Sequence, residues 1–306
     1  MPDPHPIKPN ADLRQEAEQL LDEILPTDVR PTDTTLCHYT SLSVTLLILE
    51  HTRADVFMSE CRYCNDRQEF LYAFNGARQI LMTWANHRFG QAVEAVLVTL
   101  KQEAYVFCLC EPPADRLSQW RGYGADGHGT CISFEVAELL KMAGSSRQSR
   151  LAQVIYDPNK MQSDLTNLIH AGEQRFNNAS ANFQQTIVEA TALALYFLCP
   201  IYKDPGFAEE HEFRLIYMPL LTPSGNPIAP THYRDRSGFL IPYVRLSQVA
   251  RLPNRNIGPG LSIEQIMVGP SGLIDLNFEA LNDCVQLHPN QTGRISVDRS
   301  AIPYRP

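Results

Sequence analysis

Two short motifs, far apart in the chain, carry residue types that chemistry needs and a core does not. They are Cys37-His38-Tyr39-Thr40 and Glu209-Glu210-His211-Glu212-Phe213-Arg214. His38 follows Leu36 in a strand-like segment, and Glu212 opens the apolar run Phe213 to Met218. Period-two alternation places Glu210, Glu212 and Arg214 on one face of that strand, with His211, Phe213 and Leu215 on the other. Two carboxylates and a guanidinium in a row make either a solvated edge, where ion pairs contribute little, or one wall of a polar cleft. In a cleft, one carboxylate stabilises an oxocarbenium-like sugar cation while its neighbour tunes its pKa. A strand-borne His/Tyr pair facing such a carboxylate is able to grip a dinucleotide. An aromatic and a hydroxyl ending a strand, with His38 in one satisfied hydrogen bond, account for the first motif without any chemistry.

Two further clusters lie between these motifs. Asn65-Asp66-Arg67-Gln68-Glu69 reads as an Asx turn capping the next helix, with Glu69 near its positive end. The other reading of Asn65 and Asp66 is ribose contact or positioning of a catalytic loop. Ser118-Gln119-Trp120-Arg121-Gly122-Tyr123 puts Trp120 and Tyr123 three apart on one helical face, where core packing is the default. Glycines 122, 124, 127 and 129 permit close approach of a ligand or a hairpin turn, but no helix follows them as a dinucleotide fingerprint requires. The eight cysteines sit mostly in apolar contexts and read as free thiols. Cys61-Arg62-Tyr63-Cys64 is a single CxxC without a second ligand pair, so no metal is expected.

The elements that position these groups follow from periodicity. A helix is expected over 11–25, a short helix capped by Ser41 over 41–49, and two helices at about 68–87 and 90–103. Strands are expected at 54–59, 105–110, 130–134, 153–156, 212–218, 238–245 and 263–268, with 105–110 and 130–134 pairing with each other. A helical stretch at about 160–199 contains Asn177-Asn178 as a break, and a helix at 272–286 and a strand at 294–298 close the chain. Helix and strand signals do not alternate regularly, which argues against a doubly wound parallel sheet. The expectation is one α+β domain over 36–305 with a mainly antiparallel core and a helical insertion, preceded by a tail and helix at 1–35.

The 306 residues are enough for a sizeable core, and 44% hydrophobic with 20% charged is ordinary for a soluble protein. A net charge of −8 weakens the case for a nucleic-acid partner without removing a local basic groove. The Pro-rich first ten residues carry no apolar signal core, and no apolar run is long enough to span a membrane, so a cytoplasmic protein is expected.

Taken in order, His-Tyr-Thr, Asn-Asp-x-x-Glu, Trp-x-x-Tyr before Gly-x-x-Ile-x-Phe, and Glu-x-Glu-Phe-Arg resemble the bacterial family called domain of unknown function 2971. The closing Ser300-Ala301-Ile302-Pro303-Tyr304-Arg305 matches its usual ending, and the resemblance runs over about residues 36–305. Cys108-Leu109-Cys110 departs from it, since serines are more usual there. More distantly, the chain is similar to the ADP-ribosyltransferase superfamily, nearest its DNA-modifying toxin branch.

That resemblance implies an NAD-dependent ADP-ribosyltransferase or NAD glycohydrolase, a toxin or phage-defence effector acting on nucleic acid or protein. His38 and Thr40 would hold the ribose and amide of NAD, beside Tyr39, and Tyr123 or Trp120 would stack on nicotinamide. Glu212 would stabilise the oxocarbenium ion, with Glu210 and Arg214 beside it, and Glu212→Gln would abolish turnover with the fold intact. The alternative is a non-catalytic nucleotide- or nucleic-acid-binding module of a defence or toxin–antitoxin system. Its contact surface would be 160–199 with Arg234, Arg236, Arg245, Arg251 and Arg255. A third possibility is hydrolase or nuclease chemistry with His38 or His128 as base and Glu210 or Glu212 as partner.

Overall fold

Leu13, Ala17, Leu20 and Leu21 recur at helical spacing and are all buried, which is why helix α1 (Ala11–Ile24) forms and docks. In the computed structural model, the described residues are 11–24, 34–50, 54–66, 68–101, 103–112, 114–143, 149–219, 229–236, 238–250, 260–287 and 295–304. The Pro-rich start, most of the 27–35 loop, Arg251, Arg255 and Arg305 lie outside them.

The N-terminal half continues with β1 (Thr35–Thr40), α2 (Leu42–Leu49), β2 (Phe57–Glu60), α3 (Leu71–Met82) and α4 (His87–Leu97). Ser41 caps α2 as expected, its hydroxyl accepting from Val44 N at 3.3 Å. Then come β3 (Tyr105–Cys110), α5 (Leu117–Gly122), β4 (Thr130–Glu135), α6 (Val136–Ala143) and β5 (Ser149–Gln153). The long helices α7 (Pro158–Asn178) and α8 (Ala181–Leu198) break just past Asn177-Asn178. The chain closes with β6 (Glu212–Tyr217), β7 (His232–Arg236), β8 (Phe239–Arg245), α9 (Leu246–Ala250), β9 (Ile263–Val268), α10 (Ile274–Leu287) and β10 (Ser296–Arg299).

The fold is α+β around a mainly antiparallel open sheet, in which β9–β10 is the one parallel pair among the named strands. β3 and β4 do not pair with each other, contrary to expectation, because β1 lies between them. The strand expected at 153–156 runs instead over Ser149–Gln153, and α6, α9 and β7 have no counterpart in the periodicity argument.

β3 is the strand from which the sheet divides. One edge pairs fully with β6, which pairs in turn with β5. The other edge is shared, Tyr105 and Val106 meeting β2, and Cys110 meeting β1. From β1 the sheet continues through β4 and β9 to β10, and from β2 through β8 to β7.

The two faces of β3 and β6 carry different cores. Val106 and Ile216 meet the helical layer of α1, α3, α4, α7 and α8. Phe107, Leu109, Phe213 and Leu215 meet the opposite layer, where Leu36, Ile132 and Ile266 also lie. Residues 160–199 are therefore central to the helical layer, with α8 buried from Ile187 to Leu198 apart from Glu189. At the α7–α8 crossing, a Cβ on Gly172 would stand 2.3 Å from Thr191 Oγ1. Among the described residues, no helix is long and apolar enough to cross a membrane.

Candidate functional site

His38 and Glu212 lie on opposite faces of the sheet. Cys110 pairs with both Cys37 and Glu212, so these three side chains share one face. His38, one residue along β1, points to the other, and its ring packs on Phe107 at 4.4 Å between centroids. The cleft expected between the two motifs does not form around this pair, since one residue of register separates the two faces.

His38 instead closes the fork of the sheet. Between Val106 and Cys110, the β3 edge has no partner in either the β1 or the β2 ladder. There the carbonyl of Cys108 accepts from His38 Nδ1 at 2.8 Å, which fixes the neutral ring with its proton on that nitrogen. Burial lowers the His38 pKa to about 4, against that hydrogen bond and helped by the Arg234 charge.

The companions of His38 in the first motif are also engaged. Tyr39 donates to Ala114 O at 2.5 Å, accepts from Arg116 N at 3.2 Å, and sets its ring edge-on to Trp120. Burial pushes its phenol well above the ordinary value. Thr40 is buried, and its carbonyl would lie 2.0 Å from a Cβ at Gly129, so that glycine is required by close packing. Trp120 is fully buried with its indole N–H on Asp115 Oδ1 at 2.7 Å, leaving no free ring face for a ligand.

The other expected residues converge. A tight turn of 3₁₀ character over Pro205–Glu210 ends at His211, whose φ of 44° breaks the strand that alternation predicts from Glu210. Glu210 is thereby detached from β6, yet it meets the same ammonium as Glu212. Lys203 Nζ donates to Glu210 Oε2 at 2.7 Å and to Glu212 Oε2 at 3.1 Å, and lies 3.9 Å from Glu69 Oε2. Arg214 grips Glu212 with two hydrogen bonds, Nε to Oε1 at 2.8 Å and Nη2 to Oε2 at 2.9 Å. Its Nη1 donates to Pro200 O at 2.7 Å, and Nη2 also donates to Glu69.

Glu69, Lys203, Glu212 and Arg214 are all nearly inaccessible. Three carboxylates, counting Glu210, face two cations. Glu210 is the most exposed of the three, and its other oxygen accepts from the Tyr123 hydroxyl. Asn65 Nδ2 donates to the same hydroxyl at 2.5 Å, so the outer rim of the site is Asn65, Tyr123 and Glu210. Asp66 does what the turn reading expects: its Oδ1 accepts from Gln68 N at 2.8 Å ahead of α3. Its Oδ2 is buried, with no hydrogen-bond partner among the described residues.

Charge states follow from burial and pairing. Burial alone would raise the Glu212 carboxyl, but Arg214, Lys203 and the Cys108 thiol outweigh it and hold it at about 2. At Glu69 the balance reverses: burial dominates over Arg214 and Lys203, and its pKa is raised. Burial disfavours the Lys203 ammonium, yet Glu212 and Glu69 more than compensate, so its pKa is raised and it stays protonated. The Tyr123 phenol is pushed up by burial and by Glu210, and it remains a donor.

Sequence reasoning overlooked Lys203, Tyr156 and the part Glu69 plays beyond its helix turn. Tyr156 accepts from Glu212 N at 3.1 Å. A signal for Lys203 exists: it ends a stretch with no charged residue since Glu189, in a segment too apolar to carry a cation without a partner. Of the arginines expected on a basic contact surface, two have described side-chain contacts. Arg234 donates to Ser59 Oγ at 2.8 Å, and Arg245 lies over the Phe57 ring 3.7 Å from Asp55.

Residues 119–215 match the family described as "Protein of unknown function (DUF2971)". That stretch holds Tyr123, Tyr156, Lys203, Glu210, Glu212 and Arg214, whereas Asn65 and Glu69 come from outside it. No curated protein and no solved structure matches the chain.

Proposed function

We propose that the chain cleaves the nicotinamide–ribose bond of NAD, passing ADP-ribose to water or to a nucleic-acid or protein acceptor. The observation that supports this best is a site with three carboxylates against two cations, whose most accessible carboxylate, Glu210, is bonded on both oxygens. A site with excess negative charge favours a cation over an anion. Both the nicotinamide ring of NAD and the oxocarbenium ion left by its departure are cationic. A fixed carboxylate beside the anomeric carbon stabilises that ion, and its fixed partners avoid reorganisation as the bond breaks.

In this reading Glu210, rather than Glu212, faces the sugar. Glu212 and Arg214 anchor Lys203, Lys203 and Tyr123 aim Glu210, and Asn65 holds the Tyr123 hydroxyl. Tyr123 is also the aromatic left for nicotinamide to rest on, since Trp120 is enclosed. Lys203 and Arg214 are both spent on carboxylates, so the diphosphate of NAD is held elsewhere.

The test is nicotinamide release from NAD, measured by chromatography with DNA, RNA and protein acceptors present. Wild-type protein is expected to release it, and Glu210→Gln to lose about a hundredfold or more, as removal of one transition-state group commonly does. Absence of nicotinamide release under all these conditions refutes the reaction. Undiminished release by Glu210→Gln refutes the carboxylate assignment.

A further inference from the structure

Ser300 to Tyr304 lie outside the ion network, yet their contacts lead back to its rim. Ser300 N donates to Val268 O at 2.9 Å, carrying the line of β10 one residue further along β9. The segment then crosses to Asp115, with Ser300 Oγ donating to Oδ1 at 2.6 Å and Ala301 N to Oδ2 at 2.7 Å. Oδ1 also accepts the Trp120 indole N–H, so this carboxylate ties the segment to α5. Farther on, the Tyr304 hydroxyl donates to Asp126 Oδ1 at 2.7 Å. Its ring lies where a Cβ on Gly127 would come within 3.2 Å.

Ala125, Asp126 and Gly127 have φ of 50°, 52° and 84°, a left-handed turn in which a non-glycine residue is strained. From inside, Gly124 N and Gly127 N donate to Trp120 O at 3.1 and 3.2 Å. From outside, Tyr304 holds it. Tyr123 sits between these two anchors, and its ring packs on the same Tyr39–Trp120 cluster as Ile302. Its hydroxyl is the joint of the rim, accepting from Asn65 and donating to Glu210. A hydroxyl keeps two such partners only while the backbone beneath it is fixed, because a displacement of about 1 Å breaks a hydrogen bond.

We propose that residues 300–304 are a positioning strap, which holds α5 and the turn after it and thereby aims the Tyr123 hydroxyl at Glu210. Ser300 acts through Asp115, and Tyr304 through Asp126. When the strap lets go, Glu210 keeps Lys203 and loses its second donor. The kinetic effect rests on the reading that Glu210 faces the sugar; the contacts of the strap do not.

The experiment places 3-fluorotyrosine at position 123 of the whole chain and records its fluorine resonance. Nicotinamide release is measured on the same variants without the label. The double variant Ser300→Ala/Tyr304→Phe removes both hydroxyls and keeps the Tyr304 ring. It is expected to shift the resonance toward its position in Glu210→Gln, where the carboxylate charge is gone. Its kcat is expected to fall about tenfold, the size of one hydrogen bond, with KM within about twofold of wild type. Ser300→Thr, which keeps the hydroxyl, is expected to match wild type in both readouts. An unchanged resonance in the double variant overturns the proposal even where the melting midpoint falls, because the segment is then only a tether. A loss carried by KM with kcat intact overturns it as well. A shifted resonance in a protein that releases no nicotinamide upholds the strap and refutes the reaction.

Discussion

Glu212→Gln separates a carboxylate that reacts from one that holds the site together. The side chain is 5% exposed and receives Arg214 Nε, Arg214 Nη2 and Lys203 Nζ. Glutamine keeps the shape but removes the charge, and its amide nitrogen sets a donor against one of these donors. A carboxyl held at about 2, against the ordinary 4.5, means the ionised form is favoured by about 3 kcal/mol. Breaking a buried pair on one side costs about 3–5 kcal/mol by the general rule. Glu69 still reaches Arg214 and Glu210 still reaches Lys203, so we take the lower figure. At roughly 2–3 °C per kcal/mol for a chain of this size, the melting midpoint falls by about 6–9 °C.

Calorimetry at neutral pH is the assay, with urea unfolding as a second measure. The acid limb gives an independent check. The folded pKa lies below the unfolded one, so the stability Glu212 contributes is complete above the unfolded value. It is lost as pH falls from about 4.5 toward 2. The variant lacks that loss. A melting midpoint within about 1 °C of wild type would refute the structural role assigned to Glu212, given the size of effect expected for a buried pair.

Three further outcomes follow from particular contacts. His38 titrates at about 4 in the folded state and near 6.5 unfolded, so as pH falls through that window the unfolded chain takes the proton first. Stability therefore drops by at most about 3 kcal/mol, and urea titrations across pH 7 to 4 should show a slope that His38→Asn removes. Gly172→Ala drives a methyl against Thr191 at the α7–α8 crossing, costing about 1–3 kcal/mol in denaturant unfolding, and Thr191→Ala in the same chain should recover most of it. Asp115 accepts from Trp120, Ser300 and Ala301, so Asp115→Ala should cost about 2–3 kcal/mol and expose the 296–304 segment to limited proteolysis.

Much of the element list was legible from spacing: α1, the Ser41-capped helix, the break after Asn178 and the strand over 212–217 all follow from local periodicity and capping. β7 was missed because His232-Tyr-Arg-Asp-Arg236 is too polar to read as a strand, and it forms by pairing with β8. β3 and β4 are neighbours in sequence but not in the sheet, because β1 inserts between them and pairs with both. At the site, Asn65, Tyr123, Glu210, Glu212 and Arg214 were picked out by residue type, and they do meet.

Alternation along a strand is a local property, so the sequence alone determined that Glu212 and Arg214 share a face. Whether His38 shares that face of the common sheet depends on long-range register, and no local pattern carries that. Only the tertiary structure decided that Cys37, Cys110 and Glu212 line one side while His38 seals the fork on the other. It also decided that Lys203, remote from Glu69 in the chain, joins the three carboxylates. A buried ammonium is tolerated only where partners from different elements converge on it, and that convergence exists only in the folded chain.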